Sequence, residues 1–429
     1  MARLKDIGQL DRGRSRHRPR YAEHLYGGPY PFIQTGDIKA ANGRITAFTQ
    51  TYSEAGLAQS RLWPANTLCI TIAANIAETA ILTFPACFPD SVIGFIADES
   101  RCDVHFVEFM FRQLKQRIQL EASGSVQDNI NLATFDRLYF PLPPLPEQRE
   151  IAHILAAFDD KIDLNRRMNA ALEATARALF QSWFVDFDPV RAKAEGRAPE
   201  GMDAATAALF PDSFEDSALG PIPSGWRVAP LSEHIEAVRG LSYKGSGLTD
   251  AAGGLPMHNL NSVYEGGGYK YEGMKYYSGE YQERHLAKAG DLIVTNTEQG
   301  HDLLLIGYPA LIPTRYPIGL FSHHLYRVRP LAYSPITLPY VYFLLKTNYF
   351  HDIVSGYANG TTVNMLHVNG LQRPLIVIPP AAVLARFDDL VLPMLQKQES
   401  SHSENERLAK TRDAMLPHLI SGELRVTRE

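Results

Sequence analysis

The chain has 429 residues, 45% of them hydrophobic, 21% charged and 10% aromatic, an ordinary composition for soluble domains and enough chain for about two to four of them. No apolar run approaches the roughly 18 residues needed to cross a bilayer, and the charged N-terminus MARLKDIGQLDRGRSRHRPR lacks the apolar core of a signal peptide, so a cytosolic protein with no membrane partner is expected. The formal net charge of −5 argues against a uniformly basic nucleic-acid binder, and three cysteines with no CxxC pair argue against a disulfide framework or a structural zinc site.

The charge is uneven along the chain. Residues 1–20 carry seven Arg or Lys against Asp6 and Asp11, a local excess of five positive charges. Arg12, Arg14, Arg16, Arg18 and Arg20 follow an opening strand and alternate with Ser, His and Pro. Such a run suits phosphate contact and an arginine reading guanine; it suits equally a solvated basic loop. Short apolar runs at Leu68–Ile72 and Val92–Ile96 fit strands. The polar break after the first of them holds Asn75 and Glu78. Asn can pair with adenine and Glu can accept from cytosine, but a ligand-free turn would use the same residues. A helical stretch, Val104–Leu120, precedes a polar turn with Gln127, Asp128 and Asn129, then a strand into Pro143-Pro144.

A long helix is predicted from about Glu147 to Phe184, with a proline in its first turn. Its apolar seam repeats as a heptad: Ile151, Leu155, Phe158, Ile162, then Leu172, Ala176, Leu179 and Trp183, with Asn165 and Asn169 in the middle. Residues 185–225 are acidic and rich in Pro and Gly, and predict a surface linker with one short helix near residues 204–210.

Beyond the linker the pattern starts again. Shifted by 236 residues, Gly124 falls on Gly360, Asp128 on Asn364, Ile130 on Leu366 and Pro143-Pro144 on Pro379-Pro380, without a gap. Smaller shifts place Leu4 and Gly13 on Leu231 and Gly240, and Leu68-Cys69-Ile70 on Leu292-Ile293-Val294. The chain is therefore two copies of one unit, the second about ten residues longer. Its counterparts to the first copy's candidates are Asn296, Gln299, His301 and Asp302 after the strand, then Thr361, Thr362 and Asn364 in the polar turn. Fifteen of the 20 tyrosines lie between Tyr243 and Tyr357; with Lys244, Lys270 and Lys275 they suit phosphate and sugar contact, or else pack on a sheet. His323-His324 predicts a strand-borne pair on opposite faces. The helical stretch Leu338–Val354 matches Val104–Leu120. A second long helix places Phe387, Val391 and Met394 on its seam, then Gln398, Ser401 and Asn405, then Leu408, Arg412, Met415 and Leu419. Pro393 should kink it or delay its clean start to about Met394. Both long helices are apolar at the ends and polar in the middle, so antiparallel pairing would align their polar centres.

The chain contains no GxxxxGK[ST] loop, no GxGxxG after a strand, no HExxH, no GxSxG and no Asn-Pro-Pro-Tyr-like motif. The passage PLPPLPEQREIAHILAAFDDKIDLNRRMNAALEATARALFQSWFVDFDPV does resemble a known family: the central conserved region of specificity (S) subunits of type I restriction-modification systems. LFPDSFEDSALGPIPSGW resembles the family's lead-in to its second target-recognition domain, and the two-copy layout is the family's layout.

The resemblance implies an α+β fold of two similar target-recognition domains separated by two long antiparallel coiled-coil helices. The division would be residues 1–144 and 226–380 for the domains, 145–184 and 381–429 for the helices, and 185–225 for the linker. It implies a non-catalytic subunit whose domains each read half of a bipartite site in double-stranded DNA. The helices would set the spacer and bind two methyltransferase subunits, and restriction or motor subunits would join through the complex. No cofactor is expected in this chain; S-adenosylmethionine, ATP and Mg would belong to partner subunits. A stand-alone nuclease or methyltransferase, and a protein scaffold, are the rival readings. Two departures stand out: the first copy lacks the Pro-x-Gly-Trp that leads into the second at Pro223–Trp226, and Ala381-Ala382-Val383 replaces the Glu-Gln that follows the first Pro-Pro.

Overall fold

The repeat seen along the sequence is a repeat of structure. The computed structural model describes residues 1–73, 75–123, 132–300, 302–360 and 363–424. They form two compact units, one made of residues 1–166 with 402–429 and the other of residues 167–401.

In the first unit, strands β1 (Gly8–Arg12), β2 (Thr67–Thr71), β3 (Thr79–Leu82) and β4 (Val92–Ala97) make an antiparallel sheet ordered β1-β4-β2-β3. Strand Gly43–Ile45 extends it by pairing parallel to β3. Leu68 lies opposite both Phe95 and Ile81. Every residue of β2 is buried, as expected of a central strand covered on both faces. Leu68 and Ile70 pack with Phe106 and Met110 of helix α1 (Val104–Ser123), while Cys69 packs with Trp63 and Phe88 on the other side. The second unit rebuilds this sheet from β5 (Ile235–Arg239), β6 (Leu292–Thr295), β7 (Pro309–Leu311) and β8 (Leu325–Pro330), ordered β5-β8-β6-β7. Leu292 lies opposite Val328 and Leu311, and Leu292 and Val294 face one core while Ile293 faces another.

The paired glycines explain themselves. A Cβ on Gly13 would lie 2.3 Å from the Pro89 carbonyl oxygen, and one on Gly240 2.3 Å from that of Ser322. Both sites demand close approach of two backbones, which any side chain would block. The first copy also has its opening pairing without the Pro-x-Gly-Trp lead-in: Ala2 bridges Phe140, where the second copy has strand Arg227–Pro230 against Leu375–Ile378.

The two long helices are α2 (Leu145–Phe184, 40 residues) and, after α3 (Leu338–Leu345) and α4 (Asn348–Ser355), α5 (Ala381–Ser421, 41 residues). Helix α5 runs through Pro393 from Ala381, against the expectation of a delayed start. Proline there deletes one backbone donor, but Pro393 is exposed and buried Val383, Leu384, Phe387 and Val391 anchor the helix ahead of it. The single helix expected over Leu338–Val354 is instead two. The Thr347 hydroxyl donates to the Leu344 carbonyl (2.7 Å) and accepts from the Phe350 N–H (3.2 Å), capping a new helix in place of continuing the old one.

The helices pair antiparallel within each unit. In the first, Asn165 Nδ2 donates to Asn405 Oδ1 and Glu404 Oε2, both at 2.8 Å, and Asp159 pairs with Arg412. In the second, Asn169 Nδ2 donates to the Gln398 carbonyl at 3.2 Å, and Phe180 packs on Phe387. Of the seam residues, Ile151, Leu155, Ile162, Asn165, Trp183 and Leu419 are buried, and Phe158, Asn169, Leu172, Leu179, Met394, Leu408 and Met415 are half-buried.

Residues 185–225 are not a mere surface linker. They form helices Asp188–Ala194 and Ala204–Ala207 and a hairpin of Phe214–Ser217 with Gly220–Pro223. Phe187, Val190, Phe210 and Ile222 bury themselves in the second unit's core beside Trp226. Apolar residues spaced among the acids hold the segment down. Among the described residues no helix is long and apolar enough to cross a membrane.

The Glu-Gln after the first Pro-Pro has a structural use. Gln148 is fully buried; its Oε1 accepts from the Asp103 N–H (3.0 Å) and its Nε2 donates to the carbonyls of Pro143 (2.8 Å) and Arg101 (3.2 Å). It thus ties the start of α1 to the start of α2. At the same place in the second copy stands Leu384, buried, and Thr337 at the head of α3 bonds Asp388 of α5 instead (2.9 Å). Gln148→Ala leaves one buried donor and two carbonyls unpaired, and is expected to cost about 1–3 kcal/mol. Urea unfolding measures this; an unchanged midpoint would show that the clamp is idle.

Candidate nucleic-acid interface

The basic loop after β1 is folded largely by its own arginines. The Arg12 guanidinium donates to the Asp90 carbonyl, and Arg18 Nη1 to the carbonyls of Ser15 (2.7 Å) and His17 (2.8 Å). Arg20 makes a two-pronged pair with the Asp90 carboxylate at 2.8 and 2.9 Å. From the side, Gln59 Oε1 accepts the N–H groups of Arg16 (2.6 Å) and His17 (3.0 Å), and the Ser60 hydroxyl donates to the Arg14 carbonyl (2.9 Å). What remains is informative. The guanidinium groups of Arg14 and Arg16 are exposed, with no hydrogen bond or ion pair among the described residues. The loop therefore presents two unneutralised cations on a backbone held at several points.

The break after β2 is pinned by Thr71, whose N–H donates to the Glu78 carbonyl at 3.0 Å. Asn75 Oδ1 accepts from Lys39 Nζ (3.3 Å), and Glu78 pairs with Lys115 of α1 (2.7 Å). Both side chains are half-buried and already engaged, each with a lysine. The second copy pins a longer loop the same way, Thr295 N–H to the Tyr308 carbonyl at 3.1 Å. Here a sequence expectation fails. Asn296 is fully buried, its Nδ2 donating to the His323 carbonyl (3.1 Å) and its Oδ1 accepting from the Thr297 hydroxyl (2.7 Å). It holds the loop and faces no solvent from which a base could approach. Gln299 is exposed, at the end of strand Thr297–Gln299, which pairs with Val363–Leu366. Lys244 is exposed. Gln127, Asn129, His301 and Thr362 lie outside the described residues.

The sequence reading passed over Glu298. It is buried and accepts the N–H groups of Leu304 (2.8 Å), Leu305 (2.8 Å) and Ile306 (3.1 Å), drawing the loop around one carboxylate. Nothing in its spacing distinguishes it from the exposed polar residues beside it. His323 and His324 occupy the turn between strand Ile318–Phe321 and β8, not a strand, with rings 3.9 Å apart. The tyrosines divide: Tyr269, Tyr277, Tyr316, Tyr326, Tyr340 and Tyr342 are buried, and Tyr264, Tyr281, Tyr333, Tyr349 and Tyr357 are exposed. Buried His258, bonded through Nδ1 to the Tyr269 hydroxyl at 2.8 Å, has its pKa lowered by desolvation to about 4, so it is neutral at physiological pH. The three cysteines are buried thiols, and among the described residues no three His, Cys, Asp or Glu are placed to hold a metal.

Each sheet domain's helix carries a cation at one repeated position, half-buried in the first unit and buried in the second. In the first unit Arg112 of α1 pairs with Glu108 (2.7 Å) and with Asp159 of α2 (2.8 Å), which also pairs with Arg412 of α5. In the second unit the corresponding Lys346, at the end of α3, pairs with Glu173 of α2 at 2.5 Å and bonds the Tyr342 hydroxyl at 3.2 Å. Glu108 and Tyr342 occupy matching places one turn before the cation.

Residues 1–174 match the Type I restriction modification DNA specificity domain family. The chain is 23% identical to the type I restriction enzyme MjaIX specificity subunit of Methanocaldococcus jannaschii, over 99% of this chain and 93% of that one. It is 25% identical to the HindI specificity subunit of Haemophilus influenzae, over 77% and 80% of the two chains. The crystal structure of a type I restriction-modification S subunit from M. genitalium shares the fold, with a TM-score of 0.56 over 100% of this chain and 96% of that one, at 14% identity. With its duplicated sheet and long paired helices, the chain is similar to type I restriction-modification specificity subunits along most of its length, and its first 174 residues match their DNA specificity domain.

Proposed function

We propose that this chain is the non-catalytic, DNA-recognising subunit of a type I restriction-modification complex. The observation that carries the reading is the duplication: one sheet topology, in one register, occurs twice in a chain whose relatives are specificity subunits. Two similar readers suit a target split into two half-sites. The long helices, paired antiparallel in each unit, suit a spacer between readers and a surface for two methyltransferase subunits. Methyl transfer and ATP-driven cleavage then fall to partner subunits, with S-adenosylmethionine, ATP and Mg bound there.

At the first half-site Arg14 and Arg16 are the leading contacts, because their charges are exposed and unspent, while Arg12 and Arg18 hold the loop in shape. Asn75 and Glu78 can reach a base only by giving up Lys39 and Lys115. In the second domain Gln299 and Lys244 are the accessible candidates.

Binding of the purified chain, alone and with its co-purifying subunits, to duplex DNA tests the reading. Affinity should fall steeply with salt, because each phosphate contact releases counterions. Arg14→Ala with Arg16→Ala should weaken binding about 10- to 100-fold and reduce the log–log salt slope by about two. Methylome sequencing of a host carrying the complex should return one bipartite motif. Salt-independent binding, or methylation at a continuous site, would overturn the proposal.

A further inference from the structure

The turn ahead of β4 in the first unit and of β8 in the second is built by the same bonds. Arg12, at the end of β1, donates through Nε to the Asp90 carbonyl, and Arg239, at the end of β5, donates through Nε to the His323 carbonyl at 3.1 Å. The next residues, Gly13 and Gly240, donate their N–H groups to the carbonyls of Val92 (2.8 Å) and Leu325 (3.1 Å). From the other side, the N–H of Ile72, just after β2, donates to the Ser91 carbonyl, and that of Asn296, just after β6, to the His324 carbonyl, both at 3.0 Å. In each domain the turn is thus wedged between the loop after the opening strand and the loop after the central strand, the two segments that carry the candidate contacts.

The side chains on this shared frame differ. In the first unit Asp90 is paired with Arg20, and the loop beside it carries Arg14 and Arg16. In the second unit Leu241, buried, and Tyr243, half-buried with its ring centroid 5.8 Å from that of Tyr277, stand in place of those two arginines. The turn there carries His323 and His324 instead, both half-buried, with rings 3.9 Å apart. Nδ1 of each ring is enclosed with no hydrogen-bond partner among the described residues, which leaves the Nε2 edge to meet a ligand. Burial, and after it His323 and Arg239, lower the pKa of His324, so that its ring is neutral at physiological pH and can both donate and accept.

We propose that His323 and His324 are specificity-determining residues of the second domain, whose imidazoles hydrogen-bond to acceptors on base edges of its half-site. This rests on the DNA-reading role above. What two reading domains share suits what every half-site shares, the phosphate backbone; what differs between them suits the bases, which carry the sequence. The turn fits that division, with a backbone held alike in both units and side chains that differ. Guanine N7 and O6, adenine N7 and thymine O4 are the acceptors open in the major groove, and an imidazole N–H matches any one of them. An uncharged ring releases no counterion, so its contact alters base preference without altering the salt dependence, unlike a lysine or arginine on a phosphate.

The test takes the intact complex and measures its binding to duplexes that carry the bipartite site returned by the methylome, with every base pair of both half-sites substituted in turn. His323→Ala with His324→Ala should lower discrimination about fivefold or more at one or two base pairs, all in one half-site. The other half-site should be read as in the wild type, and the log–log salt slope should not change. The backbone bonds of the turn remain in this variant, because residues 323 and 324 enter them through main-chain atoms. Unchanged discrimination at every base pair overturns the proposal. So does an equal loss of affinity for all sequences, the mark of a merely structural role, or a reduced salt slope with base preference intact, the mark of a phosphate contact. If the double variant does not fold, His323→Gln and His324→Gln, tested singly by the same substitutions, decide. A wild-type complex that binds no bipartite site at all would instead sink the DNA-reading role itself.

Discussion

Arg112→Met is expected to destabilise the first unit by about 3–5 kcal/mol, the cost of leaving a buried charge without its partner. Glu108 is only 2% exposed along its side chain and bonds Thr79 of β3 (3.0 Å) besides Arg112. Without the guanidinium it keeps one neutral donor. Asp159 keeps Arg412 and so suffers less. Burial pushes the Glu108 carboxyl above its ordinary range even with Arg112 present. The folded protein therefore holds that proton to a higher pH than the unfolded chain does, and this group's contribution to stability declines as pH rises through the interval between the two values. The decline should be steeper in the variant, because the counter-charge that favours ionisation is gone. Hydrogen exchange in β3 and α1, measured from pH 5 to 8, reads both effects. Adding Glu108→Gln to Arg112→Met should recover about half or more of the loss, since an amide is far cheaper to bury than a carboxylate. A single variant as stable as wild type at pH 8 would mean that the network carries no net stability.

Phe387→Ala should have an effect of similar size in the second unit. Phe387 is fully buried where α5 meets α2, with ring centroids at 5.1 Å from Phe184, 5.9 Å from Phe180 and 6.1 Å from Trp183, and a further ring, Phe343 of α3, at 5.9 Å. Truncation removes a side chain whose ring lies beside all four, and about 3–5 kcal/mol is expected for an aromatic cavity of this kind. Phe387→Leu should cost about 1–1.5 kcal/mol, because most of the volume is retained. Urea unfolding followed by tryptophan emission suits the measurement: Trp183 and Trp226 share this core, and the alanine variant's native emission should shift to the red. Equal losses for alanine and leucine would place the effect elsewhere than in the cavity.

Much of the architecture is legible in the order of residues. The alternation Leu68-Cys69-Ile70 and its copy Leu292-Ile293-Val294 predict two-faced central strands because a strand's side chains alternate by geometry, and the sheet follows that period. The heptad seam predicts a long helix because the 3.5-residue period is written directly in the order of residues. Gly13 and Gly240 are legible as partners because the repeat preserves them, although the reason, a backbone passing 2.3 Å from where a Cβ would be, comes only from the fold.

The site was less legible. Arg12, Arg14, Arg16, Arg18 and Arg20 are equivalent as letters; the guanidinium groups of three are consumed by Asp90 and by nearby carbonyls, and those of two have no partner among the described residues. Asn296 and Gln299 stand three apart, yet one is buried beneath a turn and the other is open to solvent. Pro393 predicts a kink or a delayed start, and the helix nevertheless begins at Ala381, where buried neighbours outweigh the lost donor.

Order along the chain by itself determined the duplication, the sheet's alternation, the two long helices and their polar centres, because periodicity and repetition are local properties that burial merely obeys. The tertiary structure alone decided which charges are spent inside and which face outward, since that depends on partners from distant segments, as with Asp90 for Arg20, Asp159 for Arg112 and Glu173 for Lys346. Whether a polar side chain binds a ligand or braces a loop turns on access to solvent, and access is created only when the segments pack.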